Sequence, residues 1–180
     1  MGHTEIIAQN ESLVLRNAGE GRAAKSGRIL LGACALGLVL AGLTIAIFGM
    51  TTVFVPSDLG FVGLGPQTLA RISPMLILLI AHDRAGFGAG LCSEGCLLLF
   101  MARRAELNRS LVEIVAAMGI SGFGAATAVH FAVGYVDFLH LLPGFAGFGL
   151  FLAANSLLYI GWRNLRAIPA SESQPDLTVS

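Results

Sequence analysis

Residues 74–103 read PMLILLIAHDRAGFGAGLCSEGCLLLFMAR, and how this stretch is divided decides the fold. As one helix at 1.5 Å per residue it would run about 45 Å, against a bilayer hydrocarbon core of about 30 Å. His82, Asp83 and Arg84 interrupt the apolar run, and Gly86, Gly88 and Gly90 allow a bend beside them. The stretch therefore divides there. Met75 to Ala81 is too short to cross a membrane and reads as a short interfacial helix. Residues 85–101 read as a full span. Ser73 before Pro74 is a helix start, with a hydroxyl at the cap and Pro at the first helical position.

Three more apolar runs flank this one. Residues 29–50, 111–133 and 145–162 are each long enough to span, the last opening just after Pro143 and Gly144. The expected fold is all-α, a bundle of four transmembrane helices over residues 28–163. An ordered extracytoplasmic loop, 51–84, joins the first two spans. It is rich in turn formers: Pro56, Ser57, Asp58, Gly60, Gly63, Gly65 and Pro66. Residues 1–27 read as a polar cytoplasmic tail and 164–180 as a disordered one. The first apolar run exceeds 20 residues and lacks a small-x-small cleavage site, so it reads as a retained helix and not a cleaved signal.

Composition agrees. Hydrophobic residues make up 55% of the 180-residue chain and charged residues 12%, about half the level of a soluble domain. The mean hydropathy is +0.77. Eleven basic and eleven acidic residues leave no net charge, so no polyanion partner is implied and no nucleic-acid partner is expected. The basic residues are unevenly placed. Arg16, Arg22, Lys25, Arg28, Arg103, Arg104, Arg109, Arg163 and Arg166 fall on the side of the termini, and only Arg71 and Arg84 on the other. By the positive-inside rule both termini are cytoplasmic, in a bacterial-type inner membrane.

The tripeptide Gly-Phe-Gly occurs at 86–88, 122–124 and 147–149. Small residues let helix backbones approach in lipid, where apolar burial gives no net drive, so a tight bundle is the first reading. Room for a flat cofactor or quinone beside the Phe rings is the second.

Three constellations could carry chemistry. The first is extracytoplasmic: Asp58, His82, Asp83, Arg84, His130, Asp137 and His140. His82 and His130 each lie 24 residues from residue 106, at the turn of the hairpin that carries them, so they reach similar depth. Imidazoles and carboxylates there could take iron, copper or zinc, two facing histidines could ligate a haem, and loop pairing is the plainer alternative. The second is Glu94, in mid-span, where a carboxylate is expensive unless protonated, paired or facing water. Asn155 or Ser156 of the fourth span could be its hydrogen-bond partner. The third is Cys92-x-x-x-Cys96 with Cys34 at a similar depth, for which apolar filling is the preferred reading. Glu113, four residues from Arg109, reads as its salt-bridge partner.

Val53-Phe-Val-Pro-Ser-Asp-Leu59 and Ala81-His-Asp-Arg-Ala-Gly-Phe-Gly88 resemble stretches in uncharacterised bacterial four-helix integral membrane proteins. Some of those are similar to membrane domains fused to dihydroorotate-dehydrogenase-like modules. The resemblance implies that Asp58 and the His82-Asp83-Arg84 triplet act together on the outer face. It implies no activity, and a flavin barrel of about 250 residues would have to belong to a partner.

The leading functional expectation is a non-catalytic accessory or anchoring module in the lipid bilayer. It would work with another membrane or peripheral subunit or as a homo-oligomer, with no cofactor of its own. The alternatives are a redox, metal or haem protein using the outer His/Asp cluster, and a small proton-coupled transporter centred on Glu94.

Overall fold

A computed structural model describes residues 21–167; residues 1–20 and 168–180, most of the two expected tails, lie outside the described residues. The chain is all-α. Its helices are α1 (Arg22–Met50), α2 (Pro56–Val62), α3 (Pro66–Ile72), α4 (Pro74–Arg104), α5 (Arg109–Val133) and α6 (Phe138–Arg166). Four of them, α1, α4, α5 and α6, are long and apolar enough to cross a membrane.

Local chemistry sets the boundaries. Pro56, Pro66 and Pro74 each occupy the first turn of a helix, where the missing N–H costs nothing. Asn108 accepts from the Leu111 N–H at 2.8 Å to cap α5, and Asp137 accepts from the His140 N–H at 2.8 Å to cap α6. Gly134 ends α5 with φ 77°, a left-handed conformation that glycine adopts without a Cβ clash. Arg103, Arg104, Arg163 and Arg166 lie in the last turns of α4 and α6, where a cation suits the helix dipole.

The break expected at His82–Arg84 is not there. One 31-residue helix, α4, runs through it, so Met75–Ala81 is the first part of that helix and not a separate interfacial segment. The physical reason is that a helix needs only its own i→i−4 bonds, and His82 and Asp83 face outward with side chains 82% and 70% exposed. At about 46 Å, α4 exceeds the hydrocarbon core, with His82, Asp83 and Arg84 in its first half and Arg103 and Arg104 in its last turn. The connecting loop accordingly covers 51–73 rather than 51–84, and it carries two short helices. The helices also overrun the expected spans elsewhere. Residues 22–27 belong to α1, and α6 starts at Phe138 with Pro143 inside it, which removes one backbone bond from the second turn.

The long helices alternate in direction. α1 packs against α4 and α6, and α6 against α5. The α1–α4 seam is made of small residues. A Cβ on Gly42 would lie 2.5 Å from the Gly88 carbonyl oxygen, and one on Gly95 would lie 2.7 Å from the Ala35 carbonyl oxygen. In lipid this close approach lets dispersion hold the pair together. Gly27 against Leu158, and Gly161 against Ala24, do the same for α1–α6. Gly119 makes room for the Phe151 ring between α5 and α6. The three Gly-Phe-Gly copies are not equivalent: Gly88 lies in the α1–α4 seam, Phe123 packs on Phe148 and Phe151, and Gly124 and Gly149 face open space.

Burial is lopsided. The largest fully buried side chains are Leu31, Leu98, Val115 and Leu158, in the half of the bundle nearer the termini, and Phe151, at the middle of α6. In the other half α1 and α4 stay in contact through Gly42, Gly49 and Gly88. The buried residues of α5 stop at Gly119 and those of α6 begin at Phe151.

Candidate functional site

The loop end of the bundle is tied together by one carboxylate. Asp58, 7% exposed, is the buried charged residue among those described. Its Oδ2 accepts from the Val55 N–H at 2.8 Å, closing the first turn of α2. The same oxygen accepts from Arg84 Nη2 of α4 at 2.5 Å. Its Oδ1 accepts from the Tyr135 hydroxyl at 3.0 Å, in the α5–α6 connection. Gly49 makes this reach possible: a Cβ there would lie 2.9 Å from the Arg84 Cβ, so its absence lets α4 seat Arg84 against α1. A buried carboxylate needs donors for both oxygens, and here one chain segment supplies each kind: backbone, guanidinium and phenol.

Rings stack around Tyr135. Its centroid lies 4.9 Å from Phe61, 4.7 Å from His140 and 5.8 Å from His130, and the two imidazoles are 5.2 Å apart. His130 Nδ1 lies 2.6 Å from the Ala126 carbonyl oxygen. A carbonyl can only accept, so Nδ1 carries a proton and donates it. Burial, ahead of the bond to Asp58, pushes the Tyr135 phenol above its ordinary range.

The expected outer cluster therefore separates into groups. Asp58 joins Arg84, and His130 joins His140, with Tyr135 linking the two pairs. Asp137 is spent on the α6 cap. His82 and Asp83 pair with each other at 3.2 Å on the surface. The expected facing of His82 and His130 is not what His130 shows: its ring contacts are Tyr135 and His140. Equal depth placed them at one level, but His82 is turned outward from α4. Among the described residues no group of three or more His, Cys, Asp or Glu side chains is placed to hold a metal ion. Tyr135 was not among the expected site residues. Its signal was an aromatic directly after the helix-ending Gly134, within reach of a loop carboxylate.

Inside the bundle, Glu94 is half-buried on α4 and faces α5, where a Cβ on Gly122 would lie 3.4 Å from its Oε1. The expected bond from Glu94 to Asn155 is not made. The Asn155 Oδ1 is buried without a hydrogen-bond partner among the described residues. The antiparallel pairing explains this. Gly119 meets Phe151 and Phe123 meets Gly147, so the Gly122 level of α5 corresponds to the region of Phe148 on α6, about two turns from Asn155. The Cys34 and Cys92 thiols donate across to neighbouring helices, to the carbonyls of Gly147 on α6 and Val39 on α1, and all three cysteines are free thiols. Arg109 and Glu113 form the expected surface pair, 2.6 Å apart.

Comparison of the chain with known protein families, with curated proteins and with solved structures gives no match. The geometry itself supports an integral membrane protein with four spanning helices, a tight half and a latched half.

Proposed function

We propose that this chain is a non-catalytic accessory or anchoring subunit of a bacterial cytoplasmic membrane, with both termini in the cytoplasm. The observation that carries the reading is Glu94. It is an ionisable group within a spanning helix, at the level where α5 and α6 stop burying residues, and no hydrogen bond to it is made within the described chain. A carboxyl in that position costs several kcal/mol by insertion scales unless something supplies a donor. A neighbouring subunit, either another protein or a second copy of this one, supplies it. The orientation is supported by charge. Eight basic residues gather at the end of the bundle nearer the termini, while at the loop end Arg84 is already bound to Asp58.

The test is the mass of the chain extracted from its native membrane in mild detergent, by light scattering after size-exclusion chromatography. A complex heavier than one 18.7 kDa chain is expected. Glu94→Gln, which can still accept and donate, should keep the complex, and Glu94→Leu should release it. A wild-type chain that is monomeric throughout would overturn the reading. So would one iron, copper, zinc or haem per chain that is lost in His130→Ala.

A second reading, a small proton-coupled transporter, draws on the same unbonded carboxyl. It predicts the opposite response to the conservative change. In proteoliposomes, Glu94→Gln would abolish proton-coupled flux while the protein stayed folded.

A further inference from the structure

Two imidazoles are built into the latch at the loop end. His130 lies in the last turn of α5 and His140 in the first turn of α6, and their ring centroids are 5.2 Å apart. Tyr135 packs on both rings, at 5.8 and 4.7 Å, while its hydroxyl donates to Asp58. We propose that this pair makes the latch acid-sensitive: it stays closed with at most one of the two imidazoles charged and opens when both are.

Charge balance sets the sign. Among the described residues, the charged and titratable groups facing the pair are Asp58 of α2, Arg84 of α4, and Tyr135 and Asp137 of the α5–α6 connection. Asp58 is bonded to Arg84, so those two charges cancel. Asp137 remains, and it balances one imidazolium. A second imidazolium has no counter-charge and lies 5.2 Å from the first. Neither ring can retreat alone. His130 Nδ1 donates to the Ala126 carbonyl oxygen, 2.6 Å away, and the His140 N–H is held by the Asp137 cap. Tyr135 packs against both rings, so driving them apart displaces the phenol from Asp58. Once the latch is open the imidazoles are apart, and each takes its proton in the ordinary histidine range, at about 6.5. The open state therefore binds one proton more than the closed state. A difference of one proton shifts the opening equilibrium about ten-fold per pH unit, toward opening as the pH falls below that range.

The experiment is hydrogen exchange of the full chain in mild detergent at pH 7.0 and pH 5.5, read on peptides from 51–73 and 134–140. Each rate is divided by the intrinsic amide rate at that pH, and peptides around Leu98 and Val115 are the reference. Lowering the pH should accelerate the first two sets about ten-fold and leave the reference unchanged. His140→Gln and His130→Gln, which keep a polar side chain but cannot take a proton, should each hold the slow rate at both pH values. An acceleration under about two-fold in wild type would overturn the proposal. So would a full acid step in either variant, which would assign the titration to a carboxylate, or an equal acceleration of the reference peptides, which would mean loosening of the whole bundle. A His140→Gln chain already fast at pH 7.0 would overturn it too, because the imidazole would then be a packing element and not a sensor. If His130→Gln does not fold, His140→Gln decides alone.

Discussion

Replacing Asp58 by Ala should open the loop end without unfolding the bundle. The substitution removes the cap bond to the Val55 N–H, the phenol bond from Tyr135 and the ion pair with Arg84. A lost N-cap acceptor costs about 1 kcal/mol. A hydrogen bond to a charged group contributes about 1.5–3 kcal/mol. The Arg84 side chain is 27% exposed and can turn to water, so its pair is discounted to about 1 kcal/mol or less. The loss is therefore about 3 kcal/mol, and at about 1.4 kcal/mol per decade it corresponds to roughly 100-fold faster exchange of loop amides. Hydrogen exchange read by mass spectrometry on peptides from 51–73 measures this directly, with peptides around Leu98 and Val115 as the internal standard. The first set should lose protection and the second should not. Tyr135→Phe removes one of the three bonds and should give roughly 10-fold. In an Arg84→Met background, Asp58→Ala should cost less than in wild type, because the two share one interaction. An acceleration under about three-fold for Asp58→Ala, or additivity with Arg84→Met, would refute the latch.

Four further outcomes follow from the packing and the ring stack. Gly42→Ala places a methyl against the backbone of Gly88 and Cys92, neither of which can move aside, and should cost about 1–3 kcal/mol in detergent unfolding. Gly90→Ala meets open space and should be neutral or stabilising by up to about 1 kcal/mol in the same assay. Gly119→Ala pushes on the Phe151 ring, and Phe151→Leu in the same chain should recover most of the loss, a coupling of about 1 kcal/mol or more in a double-mutant cycle. Tyr135 is held protonated above its ordinary 10.0 by burial, so its contribution to the loop end is complete below that pH and is lost as the pH rises through the higher folded value. Loop exchange in wild type should accelerate there, and Tyr135→Phe should lack that step.

Much of the fold was legible because hydropathy and length report directly on what can cross a bilayer. The four long helices are where the apolar runs lie. The cut at His82–Arg84 shows the limit. Hydropathy reports on the surroundings of a side chain, whereas helix continuity depends on backbone bonds, and a helix can carry polar residues once it leaves the hydrocarbon. The candidate site was partly legible for a similar reason. Depth counting places residues at a level but leaves their azimuth free. Asp58 and Arg84 meet because Gly49 lets α4 close on α1, while His82, two positions before Arg84, turns outward. The role of Tyr135 needed the loop path, which follows from the left-handed Gly134 and the Asp137 cap on either side of it.

The uneven burial links these features to the proposed role. In the half nearer the termini, interdigitating side chains such as Phe151 and Leu31 hold all four helices together. In the other half the α5–α6 hairpin has no buried side chains of its own and is tied at its tip to α4 and the 51–73 loop by Asp58. A hairpin anchored at its base and tip, with its middle unpacked, presents an intramembrane surface of fixed shape. Glu94 sits at the floor of that surface, opposite Gly122, where the absence of a side chain leaves room. A transporter would need this surface to open and close, and the latch would have to break in each cycle. A subunit that only binds another helix needs the surface held still. The latch therefore favours a static interface, and breaking it should weaken association: Asp58→Ala should lower the mass of the extracted complex even though Asp58 lies outside the membrane-spanning helices. A complex unaffected by Asp58→Ala but dissolved by Glu94→Leu would separate the two, leaving the latch as a device for the loop alone.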